Sequence, residues 1–237
     1  MLINAIKIYR SAVYMLDGID SAVDDRAPGQ LQALTSIIYA ALSLETFINE
    51  IPVVMDNLFL DATSPLWLRT FVYVLDELEQ SRAQIRTKYS LSKFILSGVS
   101  FDTSQPLYQH FDLLIDLRNE IVHQKPGDWR FGVDEKGAII RTKRRILKKL
   151  NSINTLGQEL PDESDEDSET VENWLDKIST RAMARWACKS SRNMILAILD
   201  AIPHGTVKDL TDTAYRAEFI KASQSSRILK TDIPSVE

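Results

Sequence analysis

The chain has 237 residues, 44% hydrophobic and 26% charged, enough to bury a sizeable core in one large domain or in a domain with an appendage. One cysteine, Cys188, excludes an intramolecular disulfide and gives no sign of an oxidising compartment, and its apolar helical surroundings with no local histidine favour a buried core position over a nucleophile. No window approaches the roughly 20 apolar residues of a membrane span, and residues 1–17, interrupted by Lys7 and Arg10, lack a signal-peptide pattern, so a cytoplasmic protein with no membrane partner is expected.

Helical periodicity dominates the chain. Ile3, Ile6, Tyr9, Val13 and Leu16 recur at three- and four-residue steps and predict a first helix closed by Gly18 and Asp20. Residues 30–54 predict a longer helix with Leu34, Ile37, Ile38, Ala41, Leu44, Ile48 and Ile51 on one broad face, Pro52 near its end, and Glu45 and Asn49 side by side one turn apart. A third helix is predicted over 65–88 on Leu68, Phe71, Val74, Leu75 and Leu78, followed by a shorter one over 90–96 that Ser97-Gly98 ends. Residues 105–124 predict the next, with Leu107, Phe111, Leu114, Ile115, Ile121 and Val122 apolar and Pro126-Gly127 as terminator.

The pattern then changes. Residues 129–133 and 138–141 flank Asp134-Glu135-Lys136-Gly137 and read as a small β-hairpin. Residues 141–149 follow with six positive charges, among them Arg144, Arg145, Lys148 and Lys149; such a run is a solvated face or a track for phosphates. Residues 159–172 hold eight of the 33 acidic residues and no Lys or Arg, which predicts a loop or disordered segment. A last long helix is predicted over 171–201 on Trp174, Ile178, Met183, Trp186, Met194, Ile195, Ile198 and Leu199, and the chain beyond Ser223 reads as loosely held. The net charge of −5 hides a division: without the eight acidic residues, 28 basic residues face 25 acidic ones, a balance of +3, so overall acidity does not exclude a polyanionic ligand.

The segment Leu117-Arg118-Asn119-Glu120-Ile121-Val122-His123 concentrates site chemistry. Arg118 is permanently charged and forks around phosphate oxygens, His123 can move protons near neutral pH, and Asn119 can orient either partner. On an ideal helix Asn119 and His123 share a face, while Arg118 and His123 diverge by roughly 140°. The alternative is structural: His123 complements the carbonyl end of the helix and Arg118 pairs with Asp116 or Glu120. Metal chemistry is not expected, since His110, His123 and His204 are far apart, no Cys or His pair has zinc-ligand spacing, and the acidic run lacks the glycine turn and terminal glutamate of a calcium loop. No glycine-rich phosphate cradle or nucleophile elbow occurs either.

Arg118, four residues and His123, with a polar residue after the arginine and the earlier helix around Glu45, resembles the HEPN superfamily over about residues 30–126. The resemblance implies an all-α, HEPN-like helical bundle, here with a small β-hairpin insertion, and a metal-independent endoribonuclease or a toxin or defence effector that needs no cofactor. RNA would be the ligand, bound with the help of Arg144, Arg145, Lys148 and Lys149. His123 would act as general base or acid, Arg118 would stabilise the phosphorane, Asn119 would orient His123 or the phosphate, and Glu45 would brace Arg118. A homodimer with two motif copies lining one cleft is implied, with an antitoxin or other protein as a further partner. The alternatives are a catalytically silent HEPN-type RNA- or protein-binding dimer module and a purely structural helical protein. The expected layout is a helical core over 1–126, a hairpin and basic segment over 127–157, an acidic loop over 158–172, C-terminal helices over 173–222 and a tail over 223–237.

Overall fold

The computed structural model describes residues 4–19, 28–61, 63–123, 131–133, 139–141, 178–226 and the single residues Ile146, Lys149, Leu150, Leu175 and Leu229, with side chains omitted at 28–30, 131–133 and 139–141. The acidic segment 158–172, Ile3, Trp174, the turn at 134–137, Pro126-Gly127 and the last residues of the tail therefore lie outside the described residues, as do Arg144, Arg145 and Lys148. Apart from two three-residue strands, the described residues form an all-α fold.

Helix α1 (Asn4–Asp17) buries Ala5, Ile6, Tyr9, Ala12, Val13 and Leu16 against α2 (Pro28–Phe59). The pairing is close because α2 presents Ala33, Ala40 and Ala41 among its buried positions, and Ser36 Oγ donates to the Ala12 carbonyl at 2.8 Å. The start of α1 is held by Glu50 of α2, whose two carboxylate oxygens accept the Asn4 and Ala5 N–H groups at 2.9 and 3.1 Å, a carboxylate set against the positive end of a helix. The helix is longer than its sequence pattern implied. Pro52 removes one donor to the Ile48 carbonyl, yet Val54 and Met55 remain buried beyond it and α2 continues to Phe59. Leu31–Phe59 is in fact long and apolar enough, at a mean hydropathy of 1.4, to cross a membrane, with half of the apolar window buried inside the protein. That corrects the expectation that no window comes near such a span. An apolar surface on most sides is also what a central core helix needs, and α1 and four later helices all pack on α2.

The chain reverses between α3 (Leu66–Gln80) and α4 (Ile85–Ser97), and α3 ends eight residues before the end predicted for a single helix over 65–88. Arg82 adopts a left-handed φ of 54°, Arg82 N–H bonds the Glu79 carbonyl at 2.9 Å and Ala83 N–H bonds the Leu78 carbonyl at 2.8 Å. This is a Schellman ending with arginine where glycine is usual, so no glycine marked it. At the end of α4 Gly98 takes the expected left-handed cap, φ 74°.

Helix α5 (Pro106–Val122) starts with proline in its first turn and ends at His123. It buries Phe111, Leu113, Leu114, Ile115 and Leu117 between α2 and α6, whereas Val122, expected in the core, is 48% exposed. Strands β1 (Phe131–Val133) and β2 (Ile139–Arg141) pair antiparallel with Phe131 opposite Arg141 and Val133 opposite Ile139. The long C-terminal helix α6 runs Arg181–Ala201 rather than from residue 171, because Thr180 is extended and its side chain accepts the Met183 N–H at 3.2 Å as an N-cap. A short α7 (Thr206–Thr211), a π-helical turn (Asp212–Arg216) and α8 (Ala217–Ser225) close the bundle. Tyr9 links α1, α6 and α8: its hydroxyl lies 3.0 Å from Ser223 Oγ and 3.4 Å from the Cys188 carbonyl. The chain beyond Ser223 is better held than expected, since Ser226 Oγ donates to Asp17 at 2.7 Å and Leu229 is fully buried.

Candidate functional site

The last two turns of α5 divide their polar residues between two faces. Arg118 falls within the apolar stripe of Leu114, Ile115 and Leu117, so its guanidinium needs a partner where it leaves the core. That partner is Glu45 on α2, with Nη2 3.6 Å from Oε2. A separation of 3.6 Å is an ion pair but too long for a good hydrogen bond. Nη1 donates to Asn119 Oδ1 at 3.0 Å. The side chains of Arg118 and Glu45 are 25% and 51% exposed, so the pair is open to water and worth at most about 1 kcal/mol. Arg118 thus pairs across to α2.

His123 caps the helix with φ −111° and ψ 47°, its N–H on the Asn119 carbonyl at 2.9 Å. The side chain is exposed, and the imidazole has no hydrogen-bond or ionic partner among the described residues. Asn119 therefore touches His123 through its backbone alone; its side chain serves Arg118 instead of orienting the imidazole. By helical rotation His123 stands about 140° from Arg118 and only about 20° from Asp116, seven residues back. His123 projects from the charged face of α5, and Arg118 from the face turned to α2.

That charged face is clamped. Arg86 of α4 reaches over with Nε to the Asp112 carboxylate and Nη2 to the Asp112 carbonyl and Asp116 Oδ1 at 2.8 and 2.6 Å. Lys149 donates to the other oxygen of Asp116. Burial alone would raise the Asp116 carboxyl, but the hydrogen bonds from Lys149 and Arg86 outweigh it and hold the group below its ordinary value. Lys149, expected to bind phosphate, is paired with Asp116 here, and Ile146 and Leu150 beside it are buried, so at least one face of this segment is anchored to the core.

A buried cation on α4 was missed in the sequence. The Lys88 side chain is only 7% exposed and bonds Glu79 of α3 and Asn49 Oδ1 of α2 at 2.8 Å. The signal was present, because Ile85, Lys88, Tyr89, Ser92 and Leu96 share one helical stripe; starting α4 at Ser90 cut that stripe in half. One turn from Asn49 along α2, Glu45 holds Arg118, and an open groove of about 460 Å³ runs past both, lined by Asn4, Glu45, Thr46, Asn49, Glu50 and Val53.

The remaining reactive groups are quiet. Cys188 is buried, 3.5 Å from Ser36 Oγ, and burial pushes its thiol up to about 12. Half-buried His110 stacks edge-on against Trp186 at 6.0 Å, and burial lowers its pKa from the ordinary value. No group of three or more His, Cys, Asp or Glu among the described residues is placed to hold a metal ion. Comparison of the chain with family models, curated proteins and solved structures finds no match.

Proposed function

We propose that the chain is a metal-independent endoribonuclease with a HEPN-like helical bundle, acting in the cytoplasm as a homodimer. The observation that carries this is the end of α5: a guanidinium held by Glu45 and Asn119 yet a quarter exposed, followed within six residues by an exposed imidazole with no partner among the described residues. A structural role for both residues would bury each against its own partner, and His123 is not so held.

In the proposed reaction the RNA 2′-oxygen attacks the adjacent phosphorus and the bond to the 5′-oxygen breaks, leaving a 2′,3′-cyclic phosphate and a 5′-hydroxyl. His123 takes the proton from the 2′-hydroxyl. Arg118 neutralises charge on the phosphorane through the N–H groups left unused by its long contact to Glu45, and Asn119 fixes the fork. Because His123 and Arg118 leave α5 in directions about 140° apart, the two α5 ends of a dimer complete the site, and the second imidazole protonates the leaving 5′-oxygen. Arg144, Arg145, Lys148 and Lys149 supply a phosphate track, with Lys149 also pairing with Asp116. An antitoxin or other protein partner would act by covering the α5 end. The same divergence of Arg118 and His123 favours the second reading, a silent RNA- or protein-binding module of the same fold.

Incubating the protein with RNA in excess chelator decides between them. Cleavage that falls about 10²- to 10⁴-fold in His123→Ala, with the fold intact, supports the enzyme; RNA bound but uncut by the parent protein supports the silent module.

A further inference from the structure

We propose that the groove along α2 beside Arg118 is a nucleobase subsite selective for guanine. The proposal rests on the ribonuclease assignment for its substrate class, and its volume of about 460 Å³ lies within the range of small-molecule sites.

The charged groups around the groove are already engaged. Both oxygens of Glu50 accept N–H groups at the start of α1, Glu79 neutralises Lys88, and Arg118 faces Glu45. The one charge without a counter-ion, on Glu50, already has both oxygens engaged, so a neutral ligand with a patterned edge fits better than a basic side chain. The hydrogen-bonding capacity left over has a definite pattern. Asn49 has spent its oxygen on Lys88, which leaves its NH₂ as a donor. Glu45 can only accept, and its contact to Arg118 at 3.6 Å is too long to use up the lone pairs of Oε2, so both carboxylate oxygens can take a donor. The two residues are four apart on one helix, with Cβ atoms about 6 Å from each other, and Val53, 57% exposed, supplies an apolar wall.

Guanine alone among the four bases carries two adjacent donors, N1–H and the 2-amino group, beside a carbonyl acceptor. The carboxylate of Glu45 takes the two donors and the Asn49 amide donates to O6. Adenine would set its N1 acceptor against the carboxylate, and uracil offers one donor between two acceptors.

The test measures binding of guanosine, inosine, adenosine and uridine 3′-monophosphates by calorimetry or NMR, without turnover, and maps cleavage sites separately. Guanosine should bind about tenfold tighter than adenosine or uridine, with inosine, which lacks the 2-amino group, between them. Asn49→Asp still accepts from Lys88 but turns the remaining donor into an acceptor, so it should abolish the preference while the protein keeps its fold. Equal binding of all four nucleotides, or a guanine preference unchanged in Asn49→Asp, would overturn the proposal. Displacement of nucleotide by an arginine-rich peptide through Glu45 would overturn it too, in favour of a protein ligand. RNA cleavage without base preference sinks the subsite and leaves the ribonuclease standing; guanosine binding with no cleavage does the opposite.

Discussion

Replacing Lys88 by alanine should destabilise the protein more than any other single charge removal in α4. The side chain is 7% exposed and bridges three helices through Asn49 and Glu79. Truncation strands the Asn49 carbonyl oxygen, removes the packed stem, and frees a Glu79 carboxylate that is 55% exposed and rehydrates at little cost. Breaking a fully buried pair costs about 3–5 kcal/mol, and the exposure of Glu79 brings the expectation down to about 2–3 kcal/mol. At about 3 kcal/mol per molar urea, the denaturation midpoint falls by about 1 M. Lys88→Met keeps the stem and leaves no buried charge, so it should lose about 1 kcal/mol or less. A Lys88→Ala protein with the parent midpoint would show that the three-helix bridge contributes nothing.

Asp116 should make stability depend on pH. Its carboxyl is held below the ordinary value, so the stabilisation is fully present above about pH 4, where the unfolded carboxyl ionises, and is lost as pH falls through the lower folded value; urea midpoints of the parent and Asp116→Asn should differ at pH 7 and converge in acid, and a constant difference would contradict the clamp. Arg82→Gly relieves a left-handed φ of 54° and should raise stability by up to about 1 kcal/mol, seen as a higher thermal midpoint; a lower one would show that the Arg82 side chain matters more than its backbone. Thr180→Ala removes the N-cap of α6 and should cost about 1 kcal/mol in the same melt, with no change meaning that the cap is spent on water.

Much of this fold was legible because apolar residues at three- and four-residue spacing announce buried stripes. Ile6, Tyr9, Val13 and Leu16 are all in the core, as are Phe111, Leu114 and Ile115. Boundaries failed where the stopping device was not glycine or proline: Arg82 takes a left-handed turn that its side chain does not advertise, and Pro52 sits inside a helix that tertiary packing carries past it. Of the site, Glu45 opposite Arg118 was expected only through the HEPN resemblance, and the two side chains do meet at 3.6 Å. The Asp116–Lys149 and Lys88–Asn49 contacts were not expected. They join residues 33 and 39 positions apart, and periodicity within one helix carries no information about which charged face meets which.

The end groups left on RNA test the central proposal most directly. With excess EDTA, the protein should produce fragments ending in 2′,3′-cyclic phosphate and 5′-hydroxyl, leave an all-DNA strand of the same sequence intact, and lose about 10²-fold or more of its rate in a His123→Ala variant whose urea midpoint matches the parent. Cleavage abolished by the chelator, equal cutting of DNA, or undiminished cleavage by well-folded His123→Ala would contradict it.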